Sequence, residues 1–311
     1  MSRKDRYRGC LIGLAVGDAV GTAVEFQPPG SFTPVDDMLG GGTFGLNPGQ
    51  WTDDTSMALC LAESLVECGG FDARDQMARY CRWWRTGYLS STGHCFDIGN
   101  ATRAALERFE QTGQPLAGST DPHTAGNGSI MRLAPIPMYY AADSLAAVDH
   151  AAESSRTTHA APAAVDACRL MASIVAGALK GLPKSTLLAP EHPEIPGFWD
   201  RHALAPEIDD IRCGKYKRLE PPAIRGSGWV VATLEAALWA FDRTDSYREG
   251  LLKVVNLGED ADTTGAVYGQ IAGAYYGEQA IPSSWRQRLY YGERIGELAE
   301  QLLSCAFREG D

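Results

Sequence analysis

A chain of 311 residues with 44% hydrophobic content is long enough to bury a substantial core. Its formal net charge of −11, with no stripe of clustered Lys and Arg, argues against general affinity for a phosphate backbone. Eight cysteines at irregular spacings, without a Cys-x-x-Cys pair, suggest neither a zinc site nor a disulfide framework and read as reduced core thiols.

The N-terminal Met1-Ser2-Arg3-Lys4-Asp5-Arg6 precedes an apolar segment that Gly13, Gly17 and Asp18 interrupt, without a convincing cleavage site, so a cytoplasmic location is expected. From Asp5 to Val24, Leu11, Ala15 and Ala19 alternate with Gly13, Gly17 and Gly21, which predicts a tightly packed helix ending near Glu25. Glu25 reads either as a solvated surface acid or as a site carboxylate. Residues 27–50 are rich in Gly and Pro and read as a long loop, of the kind that often forms a functional lid. Trp51-Thr52-Asp53-Asp54-Thr55-Ser56 opens a run in which Met57, Leu61 and Leu65 share a helical face, and alone Asp53, Asp54 or Thr55 would read as helix caps. Another helix is predicted from Asp72 to Trp84, with Met77, Tyr80, Cys81 and Trp84 at helical spacing. Gly93 to Asn100 is turn-like and opens a helix from Ala101 to Phe109, which leaves Asp97 as either a capping group or a site acid.

Gly126-Asn127-Gly128-Ser129-Ile130-Met131-Arg132 sets small residues before an apolar run. It is either a simple turn or a helix start whose backbone N–H groups face an anion. Arg156-Thr157-Thr158-His159 leads into an apolar helix from Ala160 to Leu182, and a lone histidine there is ordinarily a structural hydrogen-bonding group. Asp166 and Arg169 make that helix a buried one rather than a membrane span, so no membrane partner is expected. Between residues 188 and 222 prolines multiply and periodicity weakens, which reads as a surface insertion rather than a second domain. Within it Tyr216 reads first as an ordinary surface tyrosine, with stacking against a base as the alternative. Gly228 to Phe241 and Trp285 to Phe307 are helical in pattern, with Trp229 and Trp239 assigned to the core. With strands hard to find, the fold class is all-α.

The stretch Gly258-Glu259-Asp260-Ala261-Asp262-Thr263-Thr264-Gly265 is the second acidic segment of the chain. Asp260 and Asp262 would diverge by about 200° on a helix, whereas a turn leading into a helix lets both carboxylates converge. Behind them Gly265, Gly269, Gly273 and Gly277 recur every four residues, a smooth ridge that a second backbone can approach closely. Carboxylates at the mouth of a buried helix are costly unless something positive neutralises them. Thr52, Asp53, Asp54, Asp260, Asp262 and Thr263 together offer six oxygen-bearing side chains with no clustered His or Cys, the ligand set of Mg²⁺ or Mn²⁺ rather than of zinc. Because the acidic segments lie near opposite ends of the chain, residues 1–311 are expected to form a single domain.

Five motifs in order then resemble the ADP-ribosylglycohydrolase family, in its dinitrogenase reductase-activating glycohydrolase-like branch: Gly9-Cys10-Leu11-Ile12-Gly13 through Gly17-Asp18-Ala19 to Glu25-Phe26, Trp51 to Thr55, Phe96-Asp97-Ile98-Gly99-Asn100, Gly126 to Arg132, and the Asp260 cluster. The resemblance implies a compact orthogonal multi-helix fold and a hydrolase that removes ADP-ribose from a modified protein, arginine being the first linkage expected. It implies that the six oxygen ligands hold two Mg²⁺ or Mn²⁺ ions. Asp97, with Glu25 as the other candidate, would handle protons or steady the developing charge. Asn100, Gly126, Asn127, Gly128, Ser129 and His159 would hold phosphates and riboses. A monomer is expected. The alternatives are another ADP-ribosyl linkage (serine, a nucleic-acid base or a small metabolite), a metal-dependent hydrolase of another phosphate ester, and a catalytically silent ADP-ribose-binding relative.

Overall fold

A computed structural model describes residues 1–307, which form helices and isolated β-bridges without a named strand. α1 (Arg3–Gly21) is capped by the Ser2 hydroxyl, which accepts from the Asp5 N–H at 3.1 Å, and runs through a 3₁₀ turn (Thr22–Val24) to Glu25. After the glycine-rich loop come α2 (Asp53–Cys68) and α3 (Ala73–Thr86), the latter capped by Asp72, and each ends on a glycine in the left-handed conformation. Next are α4 (Asn100–Thr112), the short α5 (Pro135–Tyr139), α6 (Ser144–Arg156) and α7 (Pro162–Lys180). α8 (Lys184–Leu187), α9 (Phe198–Arg201) and α10 (Pro206–Arg212) are brief. α11 (Val230–Arg243), α12 (Tyr247–Val255), α13 (Ala261–Tyr276), α14 (Ser283–Arg288) and α15 (Gly292–Ala306) complete the fold.

The glycine ridge of α13 meets a matching one on α1. Gly9 faces Gly273, Gly13 faces Gly269 and Gly17 faces Gly265, so the helices run antiparallel with their backbones touching. A methyl group added to any of these glycines would overlap a carbonyl of the opposite helix. The antiparallel sense brings the C-terminal end of α1 to the N-terminal end of α13, where Gly21 packs on Ala261 and Asp262. Buried Gln270 of α13 donates to the carbonyl of Met131 at 2.7 Å and accepts from the N–H of Ala134 at 2.7 Å, which ties the segment after Gly126 to the same helix.

The all-α expectation is met, with local differences. The Trp285 to Phe307 run is broken by Tyr291 at φ 54°, which separates α14 from α15. α6 and α12 start at side-chain caps, Asp143 and Ser246. Residues 188–222 do more than cover the surface, because Ile195, Phe198, Trp199, Ile208 and Ile211 are buried. α7 is long and apolar enough to cross a membrane, yet 83% of its apolar window is buried within the protein, as for a core helix. Of the cysteines, Cys10, Cys60 and Cys168 are core thiols; Cys68 and Cys213 are exposed.

Gly17→Ala is expected to destabilise the protein by about 1–3 kcal/mol, the scale of forced overpacking. Denaturant unfolding checks this, and a variant as stable as the wild type would contradict the close helix contact.

Candidate functional site

The acidic segments face each other at the end of the α1–α13 pair, and Asp18, fully buried on α1, is what aligns them. Its carboxylate accepts from the N–H and hydroxyl of Thr52 at 2.9 and 3.0 Å and from those of Thr55 at 3.1 and 2.6 Å, so it pins the first turn of α2. Burial raises the Asp18 pKa to about 6, with the four hydrogen bonds pulling in the opposite direction. Thr52 is the N-cap of α2 but spends no side-chain bond on capping; its hydroxyl lies 3.3 Å from Asp262 Oδ2. Across the gap the Thr263 hydroxyl reaches Asp54 Oδ1 at 3.3 Å. Asp53 and Asp54 occupy the first helical positions of α2, so they are not caps. Asp260 is the N-cap of α13, again without a side-chain capping bond, and its Oδ2 accepts from Asn127 Nδ2 at 2.7 Å.

Two further carboxylates join them. Glu25 follows the 3₁₀ turn, and its segment is clasped to the second acidic stretch by Phe26 N–H donating to Glu259 C=O at 2.6 Å and Glu259 N–H donating to Gln27 C=O at 2.8 Å. Asp97 does not cap α4, whose N-cap is Gly99; it lines the cavity together with Asp53. Glu25, Asp97 and Asp262 each place a carboxylate oxygen within 4.8 Å of the others. Burial first, then mutual repulsion, drives Asp53, Asp54 and Asp262 well above the ordinary carboxylate range and pushes Glu25 up to about 9. No ion pair among the described residues relieves these seven acids. Glu25 Oε2, Asp54 Oδ2 and Asp262 Oδ1 are buried without a hydrogen-bond partner. Orphaned, hard oxygen donors of this kind fit a divalent cation.

Glu25, Asp53, Asp97, Asp260 and Asp262 line a cavity of about 250 Å³ together with Asn100, Thr102, Gly126, Asn127, Gly128 and His159, while Asp18 and Asp54 lie behind its wall. Of the two readings of the Gly126 segment the turn holds: the chain turns through 127–132, and α5 begins only at Pro135. The Asn127 N–H is spent on the carbonyl of Gly228 at 3.1 Å, so the cradle is a bend braced from outside rather than a helix terminus. Its glycines admit His159, since a Cβ on Gly128 would lie 2.7 Å from the imidazole Cε1.

Behind the cradle Arg132 is fully buried and donates to Gly128 C=O at 2.8 Å and to Thr158 Oγ1 at 2.7 Å. Thr158 Oγ1 in turn lies 2.8 Å from His159 Nδ1. Thr158 Oγ1 accepts from Arg132 and has no acceptor other than Nδ1 among the described hydrogen bonds, which directs its proton to Nδ1 and leaves the ring proton on Nε2, beside Gly126 and Gly128. Burial, reinforced by the Arg132 charge, lowers the His159 pKa to about 3, so the ring is a neutral donor.

Two sequence expectations fail on burial. Ser129 lies behind the cavity wall, where the hydroxyl of Ser155 donates to it at 2.9 Å. Tyr216 is 2% exposed, because Arg243 and Trp239 hold the adjoining Lys217 and Leu219 carbonyls and turn the ring inward. Trp229 reverses the core assignment: it is 48% exposed and lines a second hollow of about 680 Å³ together with Arg108, Ser119 and His123. This hollow shares Asn100, Ala101, Gly126 and Gly228 with the acidic cavity. Asp18 joins the expected site residues, and its signal in the sequence is an acid inside a glycine-rich buried helix.

The family model for ADP-ribosylglycohydrolase matches residues 1–310. The ADP-ribosylarginine hydrolase Tri1 of Serratia proteamaculans is 42% identical over 305 residues, spanning 98% of this chain and 81% of that protein. Tri1 of Pseudomonas putida is 44% identical over 302 residues, 97% of this chain and 79% of its own. ADP-ribosyl-dinitrogen reductase glycohydrolase of Rhodospirillum rubrum is 32% identical over 296 residues, covering 92% and 90%. A solved structure titled ADP-ribosylglycohydrolase-related protein complex superposes with a TM-score of 0.86 at 44% identity, covering 98% of this chain and 99% of that one.

Folding raises the Glu25 pKa from 4.5 to about 9, so the metal-free folded chain holds this proton more tightly than the unfolded one. The resulting stabilisation is complete below pH 4.5 and is lost as pH rises through about 9. In chelator the melting temperature is therefore expected to fall across that range, and millimolar Mg²⁺ or Mn²⁺ to restore it most at the alkaline end. A melting temperature independent of both pH and metal would contradict this electrostatic account. For His159, ¹⁵N NMR of histidine-labelled protein at neutral pH is expected to show the Nε2–H tautomer, and an Nδ1–H signal would break the assigned relay.

Proposed function

The chain belongs to the ADP-ribosylglycohydrolase family, and from that premise we propose that it hydrolyses ADP-ribosyl-arginine on a modified protein, with a binuclear Mg²⁺ or Mn²⁺ centre. The observation that carries the chemistry is a pair of adjoining hollows that share Asn100, Ala101, Gly126 and Gly228: one holds unpartnered buried carboxylates and a glycine cradle with a neutral donor, and the other has Trp229 in its wall. An ADP-ribosyl group has matching parts in the same order. Its terminal ribose fits the carboxylates, its diphosphate the Gly126–Gly128 bend and His159 Nε2–H, and its adenine the hollow beside Trp229. Trp229 thereby takes the stacking role that burial denies to Tyr216.

Thr52, Asp53, Asp54, Asp260, Asp262 and Thr263 would hold the two ions. When bound, such ions supply Lewis-acid polarisation and a water of lowered pKa. The chain's own part is positional. Asp18 fixes Thr52 and the first turn of α2, Asn127 fixes the Asp260 carboxylate, and the clasp at Glu259 fixes Glu25. Hydrolysis breaks the C1″–N bond, water supplies the new C1″ hydroxyl, and the guanidine leaves carrying a proton. The ribose passes through an oxocarbenium-like state. Asp97, at the cavity wall beside Asp53, is placed to steady that charge or to accept the proton of the attacking water.

Asp97→Asn is expected to lower kcat on an ADP-ribosyl-arginine substrate by on the order of 10² or more, with melting temperature and ADP-ribose affinity close to wild type. Steady-state kinetics beside a thermal melt measures both. Near-normal kcat would move the role to Glu25.

A further inference from the structure

The ADP-ribosyl unit leaves one feature of the cavity unused, a row of phenyl rings that begins in its lining at Phe26 and continues through Phe44 to Phe96. Phe26 directly follows Glu25, holds φ 63° and keeps its ring 58% exposed. A bulky residue rarely adopts this left-handed conformation, and where one does, the strain is commonly associated with a working site. The ring of Phe44 lies 6.3 Å from that of Phe26 and 5.1 Å from that of Phe96, both edge to face. Phe96 in turn directly precedes Asp97. The shelf therefore runs from one cavity carboxylate to the other.

The glycine-rich loop is what holds it. Gly41 and Leu46 exchange backbone hydrogen bonds at 2.6 and 3.0 Å, closing a tight turn that projects Phe44. The neighbouring Thr43 hydroxyl donates to the Glu25 carbonyl at 3.3 Å. Phenyl faces beside carboxylates are an environment selective for a planar organic cation, because the ring quadrupole and the acids attract the same charge. On the function proposed above the bond to be broken lies at Glu25, Asp97 and Asp262, and Phe26, next to Glu25, lines the same cavity.

Resting on the function proposed above, we propose that Phe26, Phe44 and Phe96 form the docking shelf for the guanidinium to which ADP-ribose is linked, and so select arginine over uncharged linkages. An N-substituted guanidinium keeps its charge and its plane, and stacks on a phenyl face. A serine linkage offers neither.

The test is steady-state hydrolysis of an ADP-ribosyl-arginine peptide by the metal-loaded full chain, with free ADP-ribose as competitive inhibitor. Phe44→Leu/Phe96→Leu keeps apolar bulk and removes two π faces. The double variant is expected to raise KM about tenfold, with the loss falling on KM rather than kcat and the inhibition constant of ADP-ribose unchanged. Phe44→Tyr/Phe96→Tyr, which retains the faces, is expected to restore the wild-type KM. An unchanged KM in the leucine variant overturns the shelf alone. So does a parallel rise in the ADP-ribose inhibition constant, which would mark the rings as serving the nucleotide or merely supporting the loop. Wild-type enzyme that leaves the arginine linkage intact overturns both the shelf and the function on which it rests.

Discussion

Everything at the site depends on the backbone contact between α1 and α13. Glycine at matched four-residue spacing on both helices lets them touch, and the antiparallel sense sets the end of one beside the beginning of the other. Asp18 and Glu25 come from the first helix and its extension, Asp260 and Asp262 from the start of the second. Asp18 then recruits α2 through four hydrogen bonds, which carries Asp53 and Asp54 to the same point. The site is thus assembled from segments more than 200 positions apart by a contact that no side chain larger than hydrogen permits.

Such an assembly is electrostatically costly by itself. Folding confines several carboxylates that would rather be solvated and apart, and the pKa directions all report that conflict. A protein optimised for stability alone would not retain three buried oxygens without partners. Their retention makes sense if the conflict is resolved by cations on which function depends. The other half of the cavity is treated oppositely: Arg132, Thr158 and His159 form a chain of donors whose members are mostly satisfied and whose outer end is a fixed N–H. Charge at one end and preset donors at the other suit a ligand with a reactive sugar at one end and a diphosphate behind it.

Much of this was legible in the sequence, and the reasons are local. The Gly265 to Gly277 ridge announced a backbone contact, and the two acidic stretches announced oxygen ligands, because each is a short-range pattern. What stayed hidden depended on tertiary direction. Tyr216 lies among lysines and Trp229 heads an apolar run, the opposite of their burial, because the bonds from Arg243 and Trp239 turn the tyrosine inward, while the bridge between Gly126 and Trp229 leaves the tryptophan on the surface of a hollow. Asp97 was readable as a cap or a site acid, and only the placement of Gly99 at the helix start decides between them. The Gly126 segment was readable as a turn or as a helix start, because small residues precede apolar ones; the turn wins where the Asn127 N–H is diverted to Gly228, a partner about 100 residues away.

The central claim is that the α1–α13 contact builds a divalent-cation centre between the two acidic stretches. Anomalous scattering from crystals grown with Mn²⁺ tests it most directly. The account predicts two manganese peaks lying between Thr52–Asp54 and Asp260–Thr263, with the orphaned oxygens of Asp54 and Asp262 among the ligands. Crystals of active protein with no manganese between these segments, or with manganese bound only elsewhere, would contradict it.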